Sequence, residues 1–129
     1  MTKNLDNEGL KSIINNYDIF YIDLWGVVHN GVTLHKNAIN VLNEITKANK
    51  KYVLLTNAPR PNKIVKLSLE KMGMNEKIRE KVYSSGEAAL NYLKKDYLDS
   101  NFFHIGPPKD FDLFLDFKNK KVKDINEGS

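Results

Sequence analysis

At 129 residues the chain has the length of one domain, and a compact fold of that size buries roughly two thirds of the surface of the unfolded chain. The sequence is 41% hydrophobic and 28% charged, a balance typical of globular proteins rather than of disordered, collagenous or membrane chains. It contains no cysteine, which excludes disulfides, thiolate metal sites and a cysteine nucleophile. Any bound metal must therefore be held by oxygen or imidazole.

Composition and charge also bear on location and partners. No apolar stretch reaches the length of about 20 residues that spans a bilayer, and the N-terminal segment from Met1 to Glu8 lacks the apolar part of a signal peptide. We therefore expect a cytoplasmic protein without membrane contact. The formal charge is +4, but the lysines are spread along the chain except between Lys118 and Lys123, so a nucleic-acid partner is not expected.

The first predicted elements are a helix and a strand. Apolar side chains at helical spacing predict a short amphipathic helix over residues 5–16. The apolar run at residues 18–24 predicts a buried parallel strand that opens into a loop at Gly26. Ligands of open α/β sheets bind beyond the carboxyl ends of the strands. Asp23, the acid at the end of this strand, is therefore the first candidate functional residue.

The next elements repeat the alternation of helix and strand. Residues 36–50 have apolar side chains at three- and four-residue spacing, which predicts a helix packed on a sheet. Residues 51–56 are a second apolar run that ends in Thr56 and Asn57. A further helical pattern follows, and this order predicts right-handed crossovers and a parallel sheet. Thr56 and Asn57 should then lie at the same edge of the sheet as Asp23.

The remaining signals are shorter. Residues 81–84 are predicted to be a third strand, and Ser84 with Glu87 has the spacing of a capping box at the start of a helix. Capping is therefore the expected role of these two residues. Residues 101–105 are predicted to be one more strand, followed by a short apolar segment and a polar tail.

Two of these strand ends carry a combination found in a known family. Asp23 followed by Gly26 and Val27, with Thr56 at the end of the next strand, resembles motifs I and II of the haloacid dehalogenase-like (HAD) hydrolases. Two further runs are similar to those of the class IIA branch, which contains nitrophenylphosphatase-like enzymes: Asn57-Ala58-Pro59-Arg60 and Ser85-Gly86-Glu87-Ala88.

For the fold, this resemblance implies an α/β protein with a Rossmann-like parallel sheet, the incomplete core of the family. Residues 1–97 would be the N-terminal part of that core, and residues 98–129 the beginning of an inserted α/β cap whose first strand contains His104. In the family a lysine of motif III and an acidic pair of motif IV follow the cap, and these 129 residues contain no match to them. We therefore expect a chain truncated within the cap.

For function, the resemblance implies a Mg²⁺-dependent phosphatase that acts on a small phosphorylated metabolite through an aspartyl phosphate. Asp23 would be both the nucleophile and a metal ligand, with the backbone carbonyl of Trp25 as a second ligand. Thr56 and Asn57 would bind the substrate phosphate. Mg²⁺ prefers oxygen ligands and neutralises the charges that meet in this reaction, while hydrogen-bond donors stabilise the equatorial oxygens in the transition state.

Trp25 departs from the family pattern, because this position usually holds a second aspartate that protonates the leaving oxygen. General acid-base catalysis is worth roughly 10²- to 10⁴-fold in rate, and an indole cannot provide it. A class IIA branch with Asp-x-Trp-Gly-Val and a following histidine would make Trp25 a feature of a lineage. His29 would then be a replacement acid, since imidazole titrates near neutral pH. Together with the unmatched motifs, Trp25 predicts that the chain alone is inactive or nearly so.

Three alternatives remain open at this point. Asp23 could be a turn residue and Thr56 a strand-end cap, with no chemistry. The chain could be a non-catalytic remnant or pseudoenzyme that binds phosphate or a partner, since an incomplete sheet has edges that favour self-association or a complementing fragment. A receiver-like domain also carries a phosphorylated aspartate on a parallel sheet. It needs a pair of acids at the end of its first strand and the phosphorylated aspartate on its third, whereas this chain has a single acid at the first position and serines at the end of residues 81–84.

Overall fold

The computed structural model of the protein describes residues 5–127, apart from the side chains of residues 109–112 and 127. Part of the N-terminal segment for which no signal peptide was expected, residues 1–4, lies outside the described residues. So do residues 128 and 129, the end of the predicted cap segment. Within the described part, no helix combines the length and the apolar character that a membrane crossing requires.

Three parallel strands form the sheet, in the order β1 (Ile19–Asp23), β2 (Lys51–Thr56) and β3 (Val82–Ser84). The central strand β2 has the bounds that the apolar run predicted, because short runs of β-branched and aromatic residues favour a buried strand. The prediction of an α/β fold with a Rossmann-like parallel sheet is confirmed. Both crossovers contain helices, as parallel strands require.

The crossover helices lie where the apolar periodicity indicated. They are α2 (Lys36–Lys47) between β1 and β2, and α3 (Asn62–Lys71) between β2 and β3. A short helix that was not predicted, α4 (Glu76–Arg79), follows α3. A longer helix, α5 (Ser85–Asp96), begins directly after β3.

The end of α3 shows how a glycine sets a helix boundary. Gly73 has a φ of 84°, and its N–H donates to the carbonyl of Glu70 at 2.8 Å. The next N–H, that of Met74, donates to the carbonyl of Leu69 at 3.0 Å. These two bonds form the Schellman motif that satisfies the last carbonyls of a helix, and they return the chain toward β3.

The predicted helix at residues 5–16 is broken into three pieces. The first is α1 (Leu5–Glu8), and the other two are the 3-10 turns Leu10–Ser12 and Ile14–Asn16. Gly9 separates the first piece from the second with a φ of 65°, a left-handed conformation that an α-helix cannot contain, and Ile13 separates the second from the third. Leu10 and Ile14 pack against the core, as the apolar spacing indicated, but the prediction of a continuous helix is wrong.

The predicted strand at residues 101–105 is wrong. Phe102 forms an isolated parallel bridge to Lys121, and a 3-10 helix, Pro108–Lys120, separates the two. Stacking of the rings of Phe102 and Phe114, with centroids 5.0 Å apart, holds the segment in place of a strand ladder. A strand needs a neighbour along its length, and one bridge does not supply it. The assignment of residues 98–129 to a cap stays a prediction.

The core lies on one face of the sheet, between the strands and helices α2 and α3. Its most deeply buried side chains are at most 1% exposed and comprise Leu24, Val28, Leu42, Ile45, Leu54 and Leu69. The opposite face of the sheet is largely exposed and borders an open groove of about 610 Å³. Its side chains have 37–66% of their surface exposed and comprise Ile19, Tyr21, Leu55 and Tyr83. The described sheet is therefore packed on one side only.

Candidate active site

The carboxyl ends of β1 and β2 bring the two predicted motifs to one edge of the sheet. Asp23 is the last residue of β1 and lies opposite Leu55, so Thr56 is one position farther along β2. Adjacent strands are about 4.7–4.9 Å apart, which makes Asp23 and Thr56 neighbours. Asp23 is exposed, whereas Thr56 is half-buried. Because side chains alternate along a strand, Asp23 lies on the exposed face of the sheet with Leu55, and Thr56 lies on the face of Leu54. The two residues share the edge at which the strands end.

The loop after β2 orients the hydroxyl of Thr56. Its Oγ1 accepts a hydrogen bond from the backbone N–H of Ala58 at 3.3 Å. A hydroxyl has two acceptor lone pairs and one proton, and this bond occupies a lone pair. The proton of Thr56 is thereby left to donate, which is what a phosphate oxygen requires. Asn57, the other predicted phosphate-binding residue, is exposed beside it.

The loop after β1 is closed by His29, which is only 9% exposed. The backbone N–H groups of Val28 and His29 both donate to the carbonyl of Leu24, at 2.9 and 3.2 Å. On the side chain, Nδ1 of His29 accepts the N–H of Gly31 at 2.9 Å. His29 therefore links the start of the loop, through its backbone, to the turn at Gly31, through its imidazole.

Trp25 lies against this closed loop. Its ring meets that of His29 edge to face, with centroids 5.6 Å apart and an interplanar angle of 89°. Gly31 has a φ of 91°, and a Cβ there would lie 2.5 Å from two atoms of the indole. Only glycine fits at that position. The indole therefore packs against His29 and over Gly31, with 62% of its surface exposed.

The electrostatic surroundings of His29 keep its ring neutral near pH 7. Burial lowers the pKa of His29 from its ordinary value of 6.5, and the nearby His35 lowers it further, against the opposite effect of the Asp23 carboxylate. Since Nδ1 accepts a hydrogen bond, the proton of the neutral ring is on Nε2. The role of His29 as a replacement acid stays a prediction, while its contacts in this structure are those of a residue that holds the loop.

A cavity of about 320 Å³ lies between this loop and α3. Its lining includes six residues with polar or aromatic side chains, namely Trp25, His29, Thr56, Asn57, Arg60 and Ser68. Asp23 is not among the lining residues, although Leu24 and Trp25, which follow it, are. The structure thus groups four of the five predicted site residues around one cavity and places the fifth at the adjoining strand end.

The predicted metal ligands are one carboxylate and one backbone carbonyl. In the part of the chain that the structure describes, no three histidine, aspartate or glutamate side chains are grouped in a way that could hold a metal. The carboxylate of Asp23 and the carbonyl of Trp25 are hard oxygen donors. Mg²⁺ keeps several waters and binds through one or two carboxylates together with substrate phosphate. This small donor set therefore fits Mg²⁺ that binds together with a phosphate.

The capping prediction at the start of α5 is confirmed for Ser84, whose Oγ accepts the N–H of Glu87 at 3.1 Å. Glu87 does not complete the capping box. Its Oε2 accepts the N–H of Asn62, at the start of α3, at 2.8 Å. In return Asn62 Oδ1 accepts the N–H of Ser84 at 2.9 Å. Local spacing identified these residues, but it did not indicate that they connect two helices.

The fold and these strand ends define a HAD-like hydrolase. The model of the family described as haloacid dehalogenase-like hydrolase matches residues 20–117, which is most of the sequence. The chain belongs to this family. Among curated proteins, none matches the chain significantly.

Solved structures agree with this assignment. A hydrolase of the haloacid dehalogenase-like family from Brucella suis is 26% identical, with a TM-score of 0.75 over 99% of this chain and 46% of its own. The 4-nitrophenylphosphatase of Thermotoga maritima is 22% identical, with a TM-score of 0.64 over 87% of this chain and 42% of its own. The p-nitrophenyl phosphatase of Archaeoglobus fulgidus is 17% identical, with a TM-score of 0.67 over 86% of this chain and 42% of its own. These names agree with the class IIA branch that the motifs indicated, and the chain spans less than half of each structure.

Replacing His29 by asparagine should reduce the pH dependence of stability. The folded protein disfavours protonated His29, whereas the unfolded chain titrates at the ordinary pKa of 6.5. The wild-type free energy of unfolding should therefore be highest above about pH 6.5 and fall as the pH decreases below it. His29→Asn retains a side-chain oxygen that can accept the N–H of Gly31 and removes this titration. Urea unfolding at about pH 7.5 and about pH 5.5 measures the loss.

The matched control is His104→Asn, the same substitution of a histidine in the segment beyond α5. The expected result is a smaller loss for His29→Asn than for the wild type and the control. Equal losses in all three proteins would contradict the structural coupling of the ring to its loop.

Proposed function

We propose that this chain carries the nucleophile and phosphate-binding part of a Mg²⁺-dependent phosphatase that hydrolyses a small phosphomonoester. The supporting observation is the position of Asp23 and Thr56 at the adjacent ends of two paired parallel strands. The names of two structurally similar proteins, 4-nitrophenylphosphatase and p-nitrophenyl phosphatase, support the same reaction class. Because those proteins are more than twice as long, the activity of the whole enzyme is part of this proposal.

In the proposed reaction the carboxylate of Asp23 attacks the phosphorus atom. The new oxygen–phosphorus bond forms as the ester bond breaks, and the leaving oxygen takes the electron pair of that bond. Water then attacks the aspartyl phosphate, releases inorganic phosphate and restores the carboxylate. The hydroxyl of Thr56 donates to an equatorial oxygen of the transferring group, where negative charge is concentrated. Bound by Asp23 and the carbonyl of Trp25, Mg²⁺ would neutralise part of that charge.

Because of Trp25, the rate of the proposed reaction should depend strongly on the leaving group. The indole cannot protonate the leaving oxygen, and the ring of His29 is held neutral in the adjoining loop. An alkyl phosphate, whose leaving oxygen needs a proton, should therefore lose the roughly 10²- to 10⁴-fold that a general acid contributes. An aryl or acyl phosphate, whose leaving group departs as a stable anion, needs less help. Together with the unmatched motifs III and IV, this leads us to propose that the chain alone is inactive or nearly so as a phosphatase, most of all on alkyl phosphates.

Two substitutions should separate the metal-binding and phosphate-binding roles. Asp23→Asn should weaken the binding of Mg²⁺ in the presence of inorganic phosphate, because a charged ligand is lost. Thr56→Val should weaken phosphate binding by roughly tenfold, the effect of losing one hydrogen bond to a charged group. The fluorescence of Trp25, the one tryptophan in the sequence, reports both titrations, and calorimetry provides an independent measurement.

The controls use residues of the same type away from the strand ends. Asp18→Asn alters an aspartate at the opposite end of the first strand, which pairs with Lys50. Thr46→Val alters a threonine whose hydroxyl donates to the carbonyl of Leu42. Both should bind Mg²⁺ and phosphate as the wild type does. A wild-type chain that binds neither ligand, or a control as weak as its test variant, would contradict the proposal.

A second candidate function, non-catalytic binding of a partner or of a second copy, is supported by the exposed face of the sheet. Tyr21 is 66% exposed on that face, and β1 has a paired strand on one side only in the described sheet. Unpaired edges with apolar faces favour association or a complementing fragment. Sedimentation velocity should then show association that increases with concentration and that Tyr21→Lys reduces. A single monomeric species at every concentration would exclude self-association.

A further inference from the structure

We propose that Ser85 and Gly86, in the turn between β3 and α5, are positioning residues for the phosphate-binding loop. They hold the carbonyl of Ala58 and thereby fix the orientation of the Thr56 hydroxyl. This inference rests on the proposed function, since it assigns a role within the same site. It concerns two residues that make no contribution to capping α5 through their side chains.

The first step is a pair of bonds to one carbonyl. The Oγ of Ser85 donates to the carbonyl oxygen of Ala58 at 3.0 Å, and the N–H of Gly86 donates to the same oxygen at 3.1 Å. The N–H of Ala58 in turn donates to Oγ1 of Thr56. Ala58 is thus held at its carbonyl by the turn between β3 and α5. Its N–H orients the hydroxyl of Thr56.

The second step is the close approach of the two backbones. A Cβ added at Gly86 would lie 2.3 Å from the nitrogen and 2.5 Å from the oxygen of Arg60. Because these are backbone atoms, no side chain could move aside, and only glycine allows this approach. The N–H of Gly86 can reach Ala58 for that reason.

The third step is the set of bonds around this contact. The hydroxyl of Ser84 donates to the carbonyl of Arg60 at 2.6 Å, and Glu87 accepts the N–H of Asn62. The loop from Ala58 to Asn62 is therefore bound at its start, middle and end by consecutive residues of one turn. Ser84 also caps α5 by accepting the N–H of Glu87, a role that would exist without a functional loop. The hydroxyl of Ser85 instead donates to Ala58, in the loop after β2.

Ser85→Ala tests this assignment in the 129-residue chain. Ser85 is exposed, so removing its hydroxyl should leave global stability near the wild-type value. The remaining bond from Gly86 should hold Ala58 less firmly. Nitrogen-15 relaxation of the ligand-free protein should show lower order parameters for the amides of Ala58 and Arg60, falling from the rigid value of about 0.85 toward 0.6. Affinity for inorganic phosphate with Mg²⁺ should fall roughly two- to fivefold, the effect of one neutral hydrogen bond.

Two further variants make the test specific. Ser12→Ala removes a serine hydroxyl that donates to the carbonyl of Gly9 at 3.1 Å, and it should change neither measurement. Ser85→Thr keeps the hydroxyl and should restore both. A purely structural effect would lower stability in proportion to the loss of affinity, and urea unfolding measures that loss separately.

The outcomes separate this inference from the proposed function. Unchanged order parameters in Ser85→Ala would overturn the positioning role whatever the phosphate affinity. A more mobile loop with unchanged phosphate affinity would overturn it as well. If the wild type shows no phosphate binding, the proposed function fails, and the relaxation data still decide whether Ser85 holds the loop.

Discussion

The parallel ladder between β1 and β2 is the interaction on which the site depends. It sets Asp23 opposite Leu55 and places Thr56 one residue farther. A shift of one residue along a strand would move its side chains to the other face. The register is held because Leu54 is fully buried under the helices while its neighbour Leu55 is exposed on the opposite face. Core packing beneath the sheet thus decides which side chains meet at its edge.

Two loops convert this edge into a site, and each is held by contacts beyond its own strand. After β1, His29 and Gly31 fix the indole of Trp25. After β2, the turn at Ser85 and Gly86 holds Ala58. The first loop supplies a backbone carbonyl and an aromatic surface where an acid would be expected. In the proposed reaction this loop can therefore provide a metal ligand but no proton for the leaving group.

Local patterns in the sequence predicted the sheet and the long helices between residues 18 and 97 well. The apolar run at residues 51–56 coincides with β2, and the motif residues indicated the family that the chain proved to belong to. The errors arose where structure depends on more than spacing. Gly9 interrupts a correct apolar pattern, and residues 101–105 have strand-like composition without a strand to pair with.

Contacts between residues far apart in the chain could not be predicted from the sequence. Ser85 and Ala58 are separated by 27 positions, and nothing in either segment indicates that they meet. The contact of Trp25 with Gly31 is closer in sequence, yet it depends on the left-handed turn at the glycine. The chemical roles of Asp23, Thr56 and Asn57 remain predictions, because position alone supports them.

Trapping of the phosphoryl group on Asp23 is the measurement that tests the central claim most directly. The 129-residue chain is mixed with Mg²⁺ and acetyl phosphate, a donor whose leaving group needs no acid, and is quenched before mass spectrometry. The account predicts one added phosphoryl group on Asp23, absent from Asp23→Asn and present in Asp18→Asn. A chain that gains no phosphoryl group, or gains it on another residue, would contradict it.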